Sequence, residues 1–420
     1  MHLKNKAGYF LTFTYQAFRQ FFTKFVVELS IYMESKIDWS RNQSQAIDLL
    51  RFPLMIMVVF GHMMITTTAV DHAEFSLLSG QGIYNALCIC FSYVVPHMTV
   101  PTFFIISGYL FFRNINVWSW QTYKEKIRKR FHSLLIPYIL WNAIPVIINL
   151  VRYTIMAIAD HSTGIVYEYV NGLSLWSIFF QNVKIPRPEN ILGWSNCFMD
   201  GPINGTLWFL QDLIVLCIIS PVIYLLVRKT GLFIVSLFGA SYLLDIYIPV
   251  PGLGFNGLFF FSVGAYFALN GKNICKFSRE YVHLLIPASL VFCVLGVYYG
   301  GIYGTYGTFY TYIFTIFGSF LAFAIASSLI DKGRAKPNPF LVRCAFLIFV
   351  TNLINILDVG LVVQIFRDSL YAIIGADSYL QLGITYFLTP FVTAGTSILV
   401  CYLLERFLPK LTAISMGIRY

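Results

Sequence analysis

An ionisable side chain inside an apolar run is costly to bury and marks a functional site by default. The stretch 46–66 holds three such groups, Asp48, Arg51 and His62. On a helix, Asp48 and Arg51 are three residues apart, neighbours on one face and able to pair. Arg51 and His62 are eleven apart, about three turns, so they share that face with an axial separation of roughly 16 Å. A buried guanidinium suits a phosphate or carboxylate, and an imidazole can act as a general base near neutral pH. The alternative is structural: Arg51 snorkels to headgroups and His62 serves a helix contact.

The elements that must carry these residues follow from composition. Of 420 residues, 58% are hydrophobic and 11% charged, and mean hydropathy is +0.71. Soluble domains run at about 25% charged, so a soluble globule is excluded and lipid must cover most of the surface. The expected fold is an all-α polytopic integral membrane protein of about ten transmembrane helices. Apolar windows near 46–66, 97–113, 134–158, 205–226, 231–248, 253–270, 282–299, 309–330, 340–359 and 383–405 meet the length needed to cross hydrocarbon. Before the second window, Ile83 to Val95 reads as a short outer helix, with Pro96 and Pro101 breaking the pattern ahead of a shortish span.

Loop charge orients the threading. All but five of the 29 lysines and arginines fall at the two ends of the chain or in the even-numbered loops. Lys184, Arg187 and Arg367 lie on the other side, and Arg51 and Arg152 in or at the end of spans. By the positive-inside tendency both termini are cytoplasmic and the chain is a multi-pass protein of the inner (plasma) membrane. The net charge of +10 is therefore topological, and the basic residues are not gathered with aromatic platforms as nucleic-acid binding requires. Three segments result: a cytoplasmic, partly amphipathic 1–45, a membrane domain 46–408 and a cytoplasmic tail 409–420. In the first, Phe18, Phe21, Phe22, Phe25, Val26 and Leu29 form a stripe opposite Arg19, Lys24 and Glu28, an interfacial helix rather than a span. Met33 is an alternative start.

Other candidates carry weaker signals. Cys217, Cys293, Cys344 and Cys401 lie in or beside apolar runs, and without a C-x-x-C pair no metal or redox site is expected. A disulfide from Cys197 to Cys88 or Cys90 is conceivable. Ser107-Gly108 reads as a close-packing pair rather than a nucleophile with its base. Asp212, inside the fourth window, needs a partner. His72, His97, His161 and His283 read as solvated or interfacial. The outer stretch 159–204, with Glu168, Trp176, Glu189, Trp194 and Asp200, and the loop YYGGIYGTYGTFY near 298–310 have residues that could bind sugars, although interfacial belts use the same types.

A resemblance adds to this reading. Ile47-Asp48-Leu49-Leu50-Arg51, followed by ten residues and His62, resembles the first span of the membrane-bound acyltransferase 3 family. Phe103-Phe104 through Ser107-Gly108 to Leu110 is similar to that family's second-span stretch. Lys129-Arg130 leading to Pro137-Tyr138 and Trp141 resembles its entry into the third. Leu207-Trp208-Phe209-Leu210 with Asp212 resembles its fourth span, and Leu404-Glu405-Arg406-Phe407-Leu408-Pro409 its last. Departures are Ser133, where many members carry a second basic residue, and Thr351, Asn352 and Asn355 in place of a ninth-span histidine.

The resemblance implies an O-acyltransferase, moving an acyl group, usually acetyl, from cytoplasmic acyl-CoA to a hydroxyl of an envelope glycan or its lipid-linked precursor. Acyl-CoA is then a co-substrate and no cofactor is bound. Lys124, Lys126, Arg128, Lys129 and Arg130 would hold the CoA phosphates, Arg51 the inner part of the donor with Asp48 orienting it, and His62 would act as base or acyl relay. The rival class is a transporter or flippase of a glycan or lipid, in which Arg51, His62 and Asp212 line a pathway.

Overall fold

The computed structural model describes residues 37–63, 79–115, 117–159, 163–180, 185–186, 198–199, 201–248, 250–302, 304–351, 365, 368–370, 372–373 and 379–417. The N-terminal amphipathic stretch, His72, His161, Lys184, Arg187, Glu189, Trp194, Cys197, Asp200, Asn352, Asn355 and Arg367 lie outside them.

Among the described residues the regular structure is helical apart from a two-residue antiparallel pairing, Ile185 with Met199 and Pro186 with Phe198. Among the described residues, six helices are long and apolar enough to cross a membrane: Trp39–His62, Gly80–Phe112, Trp120–Ala159, Val282–Gly300, Thr308–Asp331 and Gln381–Phe407. A seventh is broken by 66° between Gly205–Ile218 and Ser220–Thr230. The remaining windows hold the shorter helices Leu232–Leu243, Phe255–Leu269 and Pro339–Thr351. Lipid-type exposure follows the helical period. Ile147, Val151, Ile155 and Ile158 are exposed along one face of Ile136–Ala159, and Leu290, Val291 and Val294 along Val282–Ile302. Such apolar faces are what a multi-pass membrane protein presents to hydrocarbon.

Numbered in chain order, α1 is Trp39–His62, α2 Gly80–Cys88, α3 Thr99–Phe112, α4 Trp120–Arg130, α5 Ile136–Ala159, α6 Gly164–Gly172 and α7 Leu175–Phe179. The series continues with α8 Trp208–Ile218, α9 Ser220–Thr230, α10 Leu232–Leu243, α11 Phe255–Leu269, α12 Ile274–Glu280, α13 Val282–Ile302, α14 Gly304–Asp331, α15 Pro339–Thr351, α16 Tyr379–Phe407 and α17 Pro409–Met416.

Helix α1 is central, packing against α3, α12, α14, α15 and α16. Its start is clamped by polar contacts that sequence reading missed. Asn42 and Ser327 bond reciprocally at 3.1 and 2.6 Å, Gln43 Oε1 accepts from the Ile274 amide at 2.6 Å, and Asn273 Nδ2 donates to the Trp39 carbonyl at 2.8 Å. Beside them Arg279 pairs with Asp331 at 3.0 Å.

Three local expectations are corrected. The second window does not break at its prolines. Helical chain runs from Gly80 through a π turn, Ile89–Val94, and a 3₁₀ turn, Val95–Met98, into α3. These turns re-space the backbone bonds where proline lacks its N–H, and the Thr99 and Thr102 hydroxyls satisfy the Pro96 and Met98 carbonyls at 2.6 Å each. The basic stretch 124–130 is a helix, not a loop, capped by Ser119 and joined to α5 through a second π turn, Phe131–Leu135. The 298–310 stretch belongs mostly to α13 and α14, a close antiparallel pair in which Tyr299 and Tyr310 meet at 5.1 Å. Part of the expected tail is also ordered: α17 docks on α5 through Trp141 Nε1 to the Ser415 carbonyl, 2.9 Å.

Candidate active site

Asp38 caps α1, accepting from the amides of Ser40 and Arg41 at 3.1 Å each. Ten residues on, Asp48 and Arg51 form the expected pair, Arg51 Nε to Asp48 Oδ1 3.6 Å. Their side chains are 45% and 38% exposed, whereas Met55, Val58 and Val59 on the same stripe are buried. The stripe is therefore open beside Arg51 and enclosed between it and His62. An exposed pair of this kind stabilises little, which leaves the guanidinium free to engage an anion at small cost.

His62, half-buried, ends α1, and no described residue hydrogen-bonds its ring. Its surroundings are locked by neighbours. A Cβ on Gly61 would lie 3.2 Å from Pro96 Cβ, and Phe60 packs on Phe91, Tyr386 and Phe387 at 5.9–6.0 Å. The π turn beside it brings the Ser92 hydroxyl onto that of Tyr386. Sequence reasoning found neither partner, because the pair spans 294 positions. π turns of this type often mark functional positions.

At the opposite end of α3 lies the basic helix α4. Its five cations are not equivalent. Lys126 donates to the carbonyls of Phe111 (2.7 Å) and Arg113 (3.3 Å), capping the C-terminus of α3. Lys126 and Arg130 each lie 5.9 Å from the Phe111 ring, and Lys124 5.5 Å from Trp120. Tyr123 ties the helix to the end of α8 through the Ile218 carbonyl, 3.0 Å. Arg128 and Lys129 are exposed, and no described residue pairs with either. Arg128 and Lys129, with Arg130 beside them, thus stay open to solvent, while Lys126 is engaged in holding the fold.

Ser107 makes no hydrogen bond to any described residue. Its neighbour explains the motif: a Cβ on Gly108 would lie 2.1 Å from the Phe261 carbonyl oxygen, and one on Gly264 2.1 Å from that of Ile105. Helices α3 and α11 cross here backbone to backbone, so Gly108 serves their close packing. Helix α8 carries Trp208 and Asp212. Phe209 wedges it between Phe104 (4.8 Å) and Phe349 (6.0 Å). Its start hangs on buried Asn204, whose amide donates to Asn142 Oδ1 (3.1 Å) and whose Nδ2 donates to the carbonyls of Trp141 (3.2 Å) and Val350 (3.3 Å). Asp212 interacts electrostatically with Tyr138, which in turn donates to the Phe179 carbonyl.

His97, expected at a solvated boundary, instead packs between the rings of Tyr93 (4.7 Å) and Tyr312 (6.4 Å). The 3₁₀ turn ahead of α3 draws it inward. His283 is exposed as expected. The described cysteines, Cys88 and Cys90 among them, are free thiols.

The geometry is thus polarised. Open cations stand at one end of α3, the Asp48–Arg51 pair part-way up α1, and His62 at the far end, about 20 Å from α4 by the length of α3. A profile of the acyltransferase domain matches residues 44–406, which contain all of these groups. The chain belongs to the acyltransferase 3 family. It is also similar to the succinoglycan biosynthesis protein ExoH of Rhizobium meliloti (strain 1021), 26% identical over 268 residues, covering 62% of this chain and 64% of that protein's length. The chain thus spans less than two thirds of this curated relative. No solved structure matches. Membership in this family, on a chain with several membrane-length apolar helices, supports an acyl-transferring enzyme.

Proposed function

We propose that this enzyme moves an acetyl group from acyl-CoA, held at the α4 end, to a hydroxyl of an envelope glycan or its lipid-linked precursor at the His62 end. The observation that carries the reading is the shared stripe of α1. It is open at Arg51, buried between there and the end of α1, and ends at an imidazole that no described residue engages. Arg128, Lys129 and Arg130 bind the nucleotide phosphates by charge-assisted hydrogen bonds. Arg51 holds the inner part of the donor and Asp48 orients the guanidinium. His62 takes the proton of the attacking hydroxyl as the new ester bond forms and the CoA thiolate leaves. The relative's name places it in succinoglycan biosynthesis, which supports a carbohydrate acceptor. By loop charge, the α4 end is cytoplasmic and the enzyme sits in the inner membrane.

The test is mass spectrometry of base-labile acyl groups on envelope glycans from cells with the gene, without it, and with His62→Ala. Loss of acylation in the last two supports the reading. Unchanged acyl content with glycan retained inside the cell would favour a carrier instead.

A further inference from the structure

A second polar cluster lies at the His62 end, and the acyl-transfer scheme does not use it. It gathers residues from the π turn, the 3₁₀ turn, the segment after α10 and the start of α14. Tyr93 Oη bonds Thr308 Oγ1 at 2.8 Å, and Tyr312 Oη donates to Asp245 Oδ1 at 3.1 Å. His97 Nδ1 meets the Tyr93 carbonyl. A carbonyl only accepts, so the neutral ring carries its proton on Nδ1 and presents a lone pair at Nε2. Tyr242, buried, backs the Tyr312 ring at 4.7 Å. The others are only partly buried. Asp245 adopts φ +49°, a left-handed backbone that Asp tolerates but most residues avoid.

Isolated belt tyrosines point their hydroxyls at headgroups. These are tied instead to a threonine and a carboxylate across the fold. The cluster offers flat rings, a carboxylate and an acceptor nitrogen. Its members include neither lysine nor arginine, and its carboxylate repels phosphate. A neutral, polyhydroxylated ring fits this chemistry, with hydroxyls donating to Asp245 and His97 and its C–H face against an aromatic side chain. Gly61, next to His62, packs on Pro96, next to His97, so the cluster adjoins the end of α1.

We infer that Tyr93, His97, Tyr312 and Asp245 form a subsite for a neutral sugar residue of the acceptor. This rests on the glycan-acylation reading. The test uses the full chain in membranes, with acetyl-CoA as donor and base-deacylated envelope glycan from cells carrying the gene as acceptor. Binding of that glycan to purified protein is measured in parallel. Asp245→Asn and Tyr312→Phe should each raise the acceptor KM about tenfold, the scale of one hydrogen bond to a charged group, and leave the acetyl-CoA KM unchanged. Asp245→Gly removes the carboxylate while keeping the left-handed backbone, and covers the case in which Asp245→Asn folds poorly. Acyl transfer by wild type with an unchanged acceptor KM in the variants overturns the subsite and leaves the acyl-transfer reading standing. Glycan binding by wild type that is weakened in the variants, without any transfer, supports the subsite and removes the acyl-transfer reading. Wild type that neither binds nor transfers overturns both, and equal rises in both KM values reduce the cluster to a structural network.

Discussion

Gly108→Ala tests the crossing of α3 and α11, and with it the role of Ser107. The added methyl would lie 2.1 Å from the Phe261 carbonyl oxygen. The obstacle is backbone in a helix flanked by fully buried Phe260 and Phe261, so no flexible side chain can yield. To restore ordinary packing distances the helices must part by more than an ångström, opening the interface that Phe104, Phe111 and Phe112 fill. Overpacking of this kind costs about 1–3 kcal/mol, occasionally more, and a rigid backbone obstacle belongs at the upper end. In detergent, Gly108→Ala should therefore melt several degrees below wild type by fluorescence-detected size exclusion, and Gly264→Ala should do the same. Ser107→Ala should match wild type in both melting and acyl transfer. A Gly108→Ala melting temperature within a degree of wild type would refute the close crossing. Loss of transfer in a fully stable Ser107→Ala protein would make Ser107 a nucleophile after all.

His62→Ala should abolish glycan acylation while membrane insertion and melting stay normal, as no described hydrogen bond depends on the ring; residual transfer near wild type would return His62 to a structural role. Arg128→Gln with Lys129→Gln should raise the acyl-CoA KM by about tenfold or more, with a smaller fall in kcat, since ground state and transition state share phosphate contacts. Lys126→Gln should instead lower the melting temperature, because the α3 carbonyls lose their cap; the opposite assignment in steady-state kinetics would reverse the roles given to these cations. Asn204→Ala removes side-chain bonds to Trp141, Val350 and Thr206 at a buried site, a loss of about 2–4 kcal/mol at roughly 1 kcal/mol per bond plus unpaired carbonyls, to be read as a lower melting temperature.

Features that depend on neighbours a few residues apart were legible in the sequence. Hydropathy located every window in which the structure places an apolar helix, because burial in lipid acts on each segment separately. The Asp48–Arg51 pair and the shared face of Arg51 and His62 follow from helical spacing alone. So does the concentration of cations in one short helix, although its helical form within a supposed loop does not. Length was less legible. Whether Pro96 ends a helix depends on π and 3₁₀ turns and on Thr99 and Thr102 taking up the displaced bonds, and in three windows the described helix is shorter than a span. What each polar group is for was decided only by tertiary contact. Lys126 and Arg128 are the same kind of residue in one helix, yet one caps α3 and the other stays open. His97 looks like a boundary histidine until Tyr312, more than two hundred positions away, closes over it. Asn204 and Ser92 acquire partners from distant helices. Local pattern encodes which face of a helix is apolar, but the fold alone decides which other helix meets that face and which polar atoms are left for a ligand.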